Sequence, residues 1–236
     1  MLVLALDTSS PAVSAGLSRV PREGGLAEPL AESVAVDGRR HGELLAVGVR
    51  AVLASAGASR ADLDAVVVGL GPGPFTGLRV GLVTAAVLAD ALGIPAYGVC
   101  SLDGLDVQDG WAVSDARRRE VYWARYEGGR RVAGPEVARP ADLELPAGAL
   151  LVGAGAVLHR TSFEGADVAG GPLHPSPHVL VLRAADRIRG AAPSEPLTPL
   201  YLRRPDAVEP SASKTVTAPS ASKTVTAPGA SGRVPA

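Results

Sequence analysis

The sequence predicts an α/β fold: a mixed sheet of three antiparallel strands, then parallel strands alternating with helices, and a short second lobe. Three observations predict it. Short apolar runs near the N-terminus are broken by turn residues, two helical periodicities then bracket a bare apolar strand, and only about 80 residues follow Tyr126 before a low-complexity tail.

Leu2 to Leu6 reads as a strand ending in the turn Asp7-Thr8-Ser9-Ser10-Pro11, Val13 to Leu17 as a second strand and Leu30 to Val36 as a third. From His41 to Ala58, Leu44, Leu45, Val49, Val52 and Leu53 fall at helical spacing and predict an amphipathic helix. Ala65-Val-Val-Val-Gly69 is a run of the kind buried on both faces of a parallel sheet. It leads into Gly71-Pro-Gly73-Pro-Phe-Thr-Gly77 and a second helix from about Leu78 to Leu92, with Gly93 past its end and Pro95 beyond. Ala96 to Cys100 is the next strand, and Ser101 is placed to cap a short helix. Trp111 to Ser114 and Val121 to Tyr126 predict strands flanking Asp115-Ala-Arg-Arg-Arg119; Leu150 to Gly153 predicts a strand, Val179 to Ile188 a helix, and Leu197 to Pro205 closes the folded part. This order is that of a ribonuclease-H-like half, the unit duplicated in the actin, sugar-kinase and chaperone ATPase (ASKHA) superfamily. The expected organisation is an N-terminal lobe over 1–107, a shortened second lobe over 108–206 and a tail over 207–236. The tail repeats Pro210-Ser-Ala-Ser-Lys-Thr-Val-Thr-Ala218 in Pro219 to Ala227, has no large apolar residue to bury, and is expected to be disordered.

Composition excludes several chemistries. The 236 residues are 47% apolar, with 23 basic residues against 24 acidic ones, which is no general nucleic-acid sponge. The lone cysteine, Cys100, makes no internal disulfide and reads as buried packing in a reducing cytoplasm. No uncharged stretch reaches the ~20 residues of a membrane span. Lys214 and Lys223 both lie in the tail, so the body holds no lysine for a P-loop or a Schiff base.

The motifs each read in more than one way. Asp7-Thr8-Ser9 at a strand end either faces a phosphate or its magnesium ion, or closes a hairpin as an Asx turn. Gly71 to Gly77 fails the dinucleotide fingerprint in its spacing, and reads as an anion cradle or as a rigid strand-to-helix turn. Gly77, Gly81, Ala85 and Ala89 recur every four residues, and the first helix carries Gly42, Ala46, Ala54 and Ala58, so two small-residue faces suggest a helical partner interface. His174 and His178 are separated by prolines, and His41 has Leu45 four residues on, so the histidines read as structural. Arg117 to Arg119 touch phosphate or form a solvated turn, and Tyr122, Trp123 and Tyr126 read as core.

Five segments then stand out together: Leu4-Ala-Leu-Asp7-Thr-Ser9, His41-Gly-Glu-Leu-Leu45, Gly69-Leu-Gly-Pro-Gly-Pro-Phe-Thr-Gly-Leu-Arg-Val-Gly81, Asp115-Ala-Arg117 before Glu120-Val-Tyr122, and Pro199-Leu-Tyr-Leu-Arg203. They closely resemble the TsaB (YeaZ) family over residues 1 to about 205. That resemblance implies the bacterial non-catalytic partner of TsaD in making N6-threonylcarbamoyladenosine, the modification beside the anticodon of tRNAs reading codons that start with A. TsaD-like proteins are expected to carry a His-x-x-x-His metal pair; here its positions are His41 and Leu45, which implies no metal and no catalytic residue in this chain. The implied partners are a TsaD-type transferase as heterodimer and a TsaE-type ATPase, with TsaC supplying threonylcarbamoyl-adenylate. Alone, the chain is open to being a homodimer or a monomer; tRNA is expected to be met only through the complex, and no membrane is involved. No cofactor is assigned to this chain, ATP or ADP belonging to the assembled complex, and the location is cytoplasmic.

The expected partner face comprises Leu45, Ala46, Gly81, Ala85 and Ala89. Asp7, Thr8, Ser9, Gly71, Gly73, Phe75, Thr76, Gly77, Arg79, Asp115, Arg117, Tyr201 and Arg203 belong to the shared motifs with no role assigned. Two other classes stay open: a small ATP-dependent kinase of the actin superfamily, favoured by Asp7-Thr8-Ser9, and an M22-type metallopeptidase, opposed by Leu45.

Overall fold

The computed structural model describes residues 1–203; the repeated tail, with its expected disorder, and the last residues of the Leu197–Pro205 segment lie outside them. Strands β1 (Leu2–Asp7), β2 (Ala12–Arg19) and β3 (Glu28–Val36) form an antiparallel meander, with Leu4 opposite Leu17. Strands β4 (Ala65–Gly69) and β5 (Ala96–Val99) add in parallel on the other side of β1, giving the order β3-β2-β1-β4-β5.

Helices α1 (His41–Ser55) and α2 (Phe75–Leu92) cover one face of this sheet, burying Leu4, Leu6, Val66 and Val68 against Leu45, Val49, Val52, Leu78 and Leu82. The other face, Val3, Ala5, Val67 and Tyr97, is covered by α4 (Pro177–Arg189) through Leu180, Val181, Ala184 and Ile188. Cover on both sides is why β1 and β4 are apolar without alternation. Arg187 reaches the Gly98 carbonyl at 2.9 Å, tying α4 to β5, and Tyr97 donates its hydroxyl to the carbonyl of Ala192, just after α4, at 2.7 Å.

The second sheet contains β6 (Gly110–Arg117), β7 (Glu120–Glu127), β8 (Arg130–Ala138), β9 (Leu150–Val152) and β10 (Asp167–Val168). Its order, β10-β9-β6-β7-β8, repeats the plan of the first: three antiparallel strands, then two parallel ones beside the first of the three. This duplicated α/β plan is the ribonuclease-H-like, actin-like (ASKHA) fold. The second copy is abbreviated, since α3 (Ala154–Leu158) has five residues where α2 has 18. The two sheets part between β5 and β6, yet α4, from the later half of the chain, belongs to the layers of the first sheet.

The sequence reading has no counterpart of α3 and β10 and ends β6 at Ser114 where it runs to Arg117, and three further differences have a physical reason. Helix α2 starts at Phe75, not near Leu78, because the poor helix former Gly77 is held by a tertiary bond from Thr8. Strand β8 contains Gly134-Pro135, which breaks a strand pattern; it is tolerated because β8 is an edge strand pairing only with β7, through register shifts. Ser101 does not cap: Cys100 precedes a 3-10 turn over Ser101–Leu105, and the Ser101 hydroxyl is bonded elsewhere. At the other end of α2, Gly93 takes the left-handed conformation (φ 65°) that ends the helix, as its position predicts.

Helix α2 is long and apolar enough to cross a membrane by length and composition; in this fold Gly77, Leu78, Gly81, Leu82, Ala85 and Ala89 are buried within the chain.

Leu180, fully buried at the α4 contact, tests that closure. Leu180→Ala is expected to cost about 2–5 kcal/mol in urea unfolding with an unchanged denaturant slope; a loss under about 0.5 kcal/mol, the range of surface substitutions, would show that α4 is not a core layer.

Candidate functional site

The turn after β1 is clasped by the glycine-rich segment that leads from β4 into α2. The Asp7 carboxylate is 1% exposed; Oδ1 accepts the Ser9 amide at 2.9 Å and the Ser9 hydroxyl at 2.7 Å, and Oδ2 accepts the Ser101 hydroxyl at 2.5 Å. Ser101 Oγ in turn accepts the Gly71 amide at 3.0 Å, and the Ser101 amide donates to the Gly71 carbonyl at 2.7 Å. Thr8 Oγ1 donates to the Gly77 carbonyl at 2.8 Å and accepts the Gly81 amide at 3.0 Å.

Four glycines at four-residue intervals give the clearance for this turn. A Cβ on Gly69 would strike the Asp7 carboxylate, and one on Gly73 the Ser9 carbonyl. On Gly77 it would stand 2.8 Å from the Thr8 carbonyl oxygen, and on Gly81 2.5 Å from Thr8 Oγ1. Of the two readings left open for Asp7-Thr8-Ser9 and for Gly71–Gly77, the geometry is that of an Asx turn packed against a rigid strand-to-helix turn.

Burial pushes the Asp7 carboxyl above its ordinary range, opposed by the bonds from Ser101 and Ser9 and by the charge of His41. Burial lowers the His174 pKa, which suits a neutral ring whose Nδ1 lies 3.2 Å from Ser10 Oγ. His41 Nε2 lies 3.0 Å from the Ser10 carbonyl, whereas Leu45 is 1% exposed in the core under α1. Among the described residues no three His, Cys, Asp or Glu side chains come together. Cys100 is buried, and desolvation pushes its thiol up to about 12.

The expected partner face is corrected here. Leu45, Ala85 and Ala89 are 1%, 0% and 5% exposed in the chain's own core, and Gly81 is closed over by Thr8; only Ala46 faces outward. On α2, four-residue spacing marks a face that accepts a close neighbour, and that neighbour is this protein's own sheet and turn, whereas Gly42, Ala46 and Ala54 of the α1 series are exposed. The outward faces of the same helices instead carry Val47, Val83 and Val87, which are 52%, 60% and 62% exposed.

The remaining motif residues gather around the start of α2. The Arg79 guanidinium lies 3.8 Å over the Phe75 ring, Phe75 and Tyr201 stand 4.9 Å apart, and Arg79 Nε donates to the Tyr201 hydroxyl at 3.2 Å. Asp115 Oδ1 accepts the Arg117 amide at 2.9 Å, and Arg203 donates to the Ala116 carbonyl at 2.8 Å and pairs with Glu120 at 3.4 Å. Thr76 and Gly77 line a cavity of about 200 Å³ together with Arg39, His41 and Arg117. Arg39, missed in the sequence reading, has no signal beyond its place one residue before the N-cap of α1. Tyr122 and Tyr126 are buried and Trp123 is partly buried, as core residues.

A second cavity of about 200 Å³ lies between the Asp7 turn and the second sheet, lined by Ser9, Ser10, Ser101, Ser114, Asp115 and His174 among apolar groups.

The fold and the clasp define an actin-like protein whose glycine-rich loop is occupied by its own first turn. A family model described as TsaD, tRNA N6-adenosine threonylcarbamoyltransferase, matches residues 30–168. Mycobacterium tuberculosis protein Rv3421c is 52% identical over 208 residues, spanning 87% of this chain and 93% of that one. The Escherichia coli protein named tRNA threonylcarbamoyladenosine biosynthesis protein TsaB is 37% identical over 98 residues, 38% of this chain and 42% of that protein. The structure of YeaZ from Pseudomonas aeruginosa is similar with a TM-score of 0.70 at 28% identity, covering 85% of this chain and 99% of that one. The chain belongs to the TsaD threonylcarbamoyltransferase family, in its TsaB (YeaZ) branch.

Thr8→Val keeps the shape of Thr8 and leaves the Gly77 carbonyl and Gly81 amide without it; an expected loss of about 1–3 kcal/mol is checked by urea unfolding. The pH dependence of Asp7 is isolated by Asp7→Asn, which cannot titrate. A carboxyl whose folded pKa is raised favours folding most when protonated, so the stability of the wild type relative to Asp7→Asn is greatest below the ordinary value of 3.8 and falls as pH rises from there through the raised value. A difference independent of pH would show an ordinary Asp7.

Proposed function

We propose that this chain is a non-catalytic subunit of tRNA threonylcarbamoyladenosine biosynthesis, pairing with a TsaD-type transferase through the outward faces of α1 and α2. The observation that carries this reading is the exposed apolar stripe: Val83 and Val87 lie one turn apart on α2, with Val47 on α1. Large apolar side chains grouped on a helix surface mark a protein-interaction site more often than a solvated face. Family membership supplies the class of partner, since named relatives are TsaB proteins of this biosynthesis and tRNA N6-adenosine threonylcarbamoyltransferases.

The non-catalytic part of the reading rests on Leu45, because the position one turn after His41 holds a core side chain that offers no lone pair to a metal. The motif residues Asp7, Thr8, Ser9, Gly71, Gly73 and Gly77 then hold the relation between β1 and α2, which sets the outward face. A TsaE-type ATPase joins the pair, the chain self-associates through the same face when alone, and all of this takes place in the cytoplasm. An actin-type kinase is the weaker reading, given that the glycine-rich segment is packed against the chain's own Asp7–Ser9 turn.

Light scattering behind size exclusion, on this chain mixed with the TsaD-type protein of the same genome, is expected to give a one-to-one heterodimer. Val83→Arg with Val87→Arg should abolish it while leaving the melting temperature within a few degrees, as exposed substitutions do. Two separate peaks for the wild type would remove the reading. Ala85→Arg is not a test of pairing, because it would bury a charge at a fully buried position.

A further inference from the structure

Arginines from three separate parts of the chain, Arg39, Arg79 and Arg117, lie at the start of α2. Arg39 and Arg117 line the cavity beside Thr76 and Gly77, Arg79 projects from the first turns of α2, and Arg203 is bonded to Ala116, next to Arg117. Arg117 and Arg203 have carboxylate neighbours in Asp115 and Glu120; among the described residues Arg39 and Arg79 pair with no carboxylate. Beside them, Phe75 and Tyr201 are 46% and 40% exposed, large ring surfaces for solvent-facing aromatics. The described residues as a whole carry 19 arginines against 22 carboxylates, so this is a basic face on an acidic body.

The turn that presents Arg117 is strained. Arg117, Arg118 and Arg119 have φ values of 64°, 52° and 63°, three consecutive left-handed residues of which none is glycine. Glycine would occupy these positions without strain, so the turn keeps arginine side chains at an energetic cost, as functional sites do. Guanidinium groups beside exposed aromatic rings are the combination that binds a nucleic-acid strand: arginines neutralise phosphates and the rings stack bases.

We infer that the face around the start of α2 docks RNA directly, its phosphates held by Arg39, Arg79 and Arg117 and a base laid against Tyr201. This rests on the reading that the chain serves a tRNA modification, and it gives this subunit its own contact with the substrate RNA. The face adjoins the Val83–Val87 stripe on the same helix, so RNA held there reaches the partner bound alongside.

The test is fluorescence anisotropy of the full-length chain, alone and with the TsaD-type protein, using a labelled tRNA transcript whose anticodon reads a codon starting with A. With about three phosphates neutralised, log affinity should fall against log salt with a slope of about −2 to −3. Arg39→Ala with Arg117→Gly should weaken binding by about tenfold or more and reduce that slope by about 1–2. Because glycine suits the left-handed turn, this double variant should melt no lower than the wild type, which separates lost binding from lost folding. Tyr201→Ala should weaken binding without changing the slope.

No salt-dependent binding, or unchanged affinity in the double variant, would overturn the inference. So would displacement of the RNA by inorganic phosphate at constant ionic strength, which would mark a small-anion pocket, or loss of the TsaD-type partner with RNA binding intact, which would mark a protein interface. Pairing of the wild-type proteins is scored separately by light scattering: if they fail to pair, the subunit reading falls, while the anisotropy of the chain alone still decides the RNA contact.

Discussion

The carboxylate of Asp7 sits in the protein interior with three bonds around it, and much of the first lobe is arranged so that it can. Removing a carboxylate from water is costly, and the cost is offset in part by the Ser9 amide, the Ser9 hydroxyl and the Ser101 hydroxyl. Those donors come from the turn itself and from the segment after β5, so the carboxylate joins β1 to a part of the chain 94 residues away. Thr8 extends the same junction into α2 through Gly77 and Gly81. Backbone can approach backbone this closely only where side chains are missing, which places glycine at 69, 73, 77 and 81.

That junction has consequences for what the loop can do. A glycine-rich loop at a helix start is able to cradle an anion, but here the Asp7–Ser9 turn is packed against its glycines. The small residues of α2 are likewise used inside the chain, so the side of the helix left for another molecule is the one bearing Val83 and Val87. Arg79 and Phe75 continue that side toward the start of the helix, where Tyr201 and Arg117 approach from other parts of the fold. One helix thus carries an inward face of small residues, an outward apolar stripe and a basic aromatic end.

Local features were legible in the sequence, and features that depend on a distant neighbour were not. The Asx turn at Asp7, the apolar runs of β1 and β4, and the glycine stop after α2 each follow from a few adjacent residues. Strand β8 was hidden, because Gly134-Pro135 argues against a strand unless it is known to lie at a sheet edge. The start of α2 was hidden too, since Gly77 disfavours a helix until Thr8 bonds to it. At the candidate site, the motif residues were visible one by one, but Arg39 gave no signal at all.

The sequence by itself determined the α/β class, the meander followed by parallel strands and the reading of Cys100 as packing. Periodicity and turn chemistry carry that information, because both are set by residues within a few positions of one another. Tertiary structure alone decided that the small-residue face of α2 and the side chain of Leu45 turn inward, that α4 returns to cover the first sheet, and that Arg39 and Arg117 share a cavity at the start of α2 while Arg79 lies against Phe75 and Tyr201. A period states that one side of a helix is small or apolar; which neighbour fills that side depends on contacts between residues far apart in the chain, and only the packed fold brings them together.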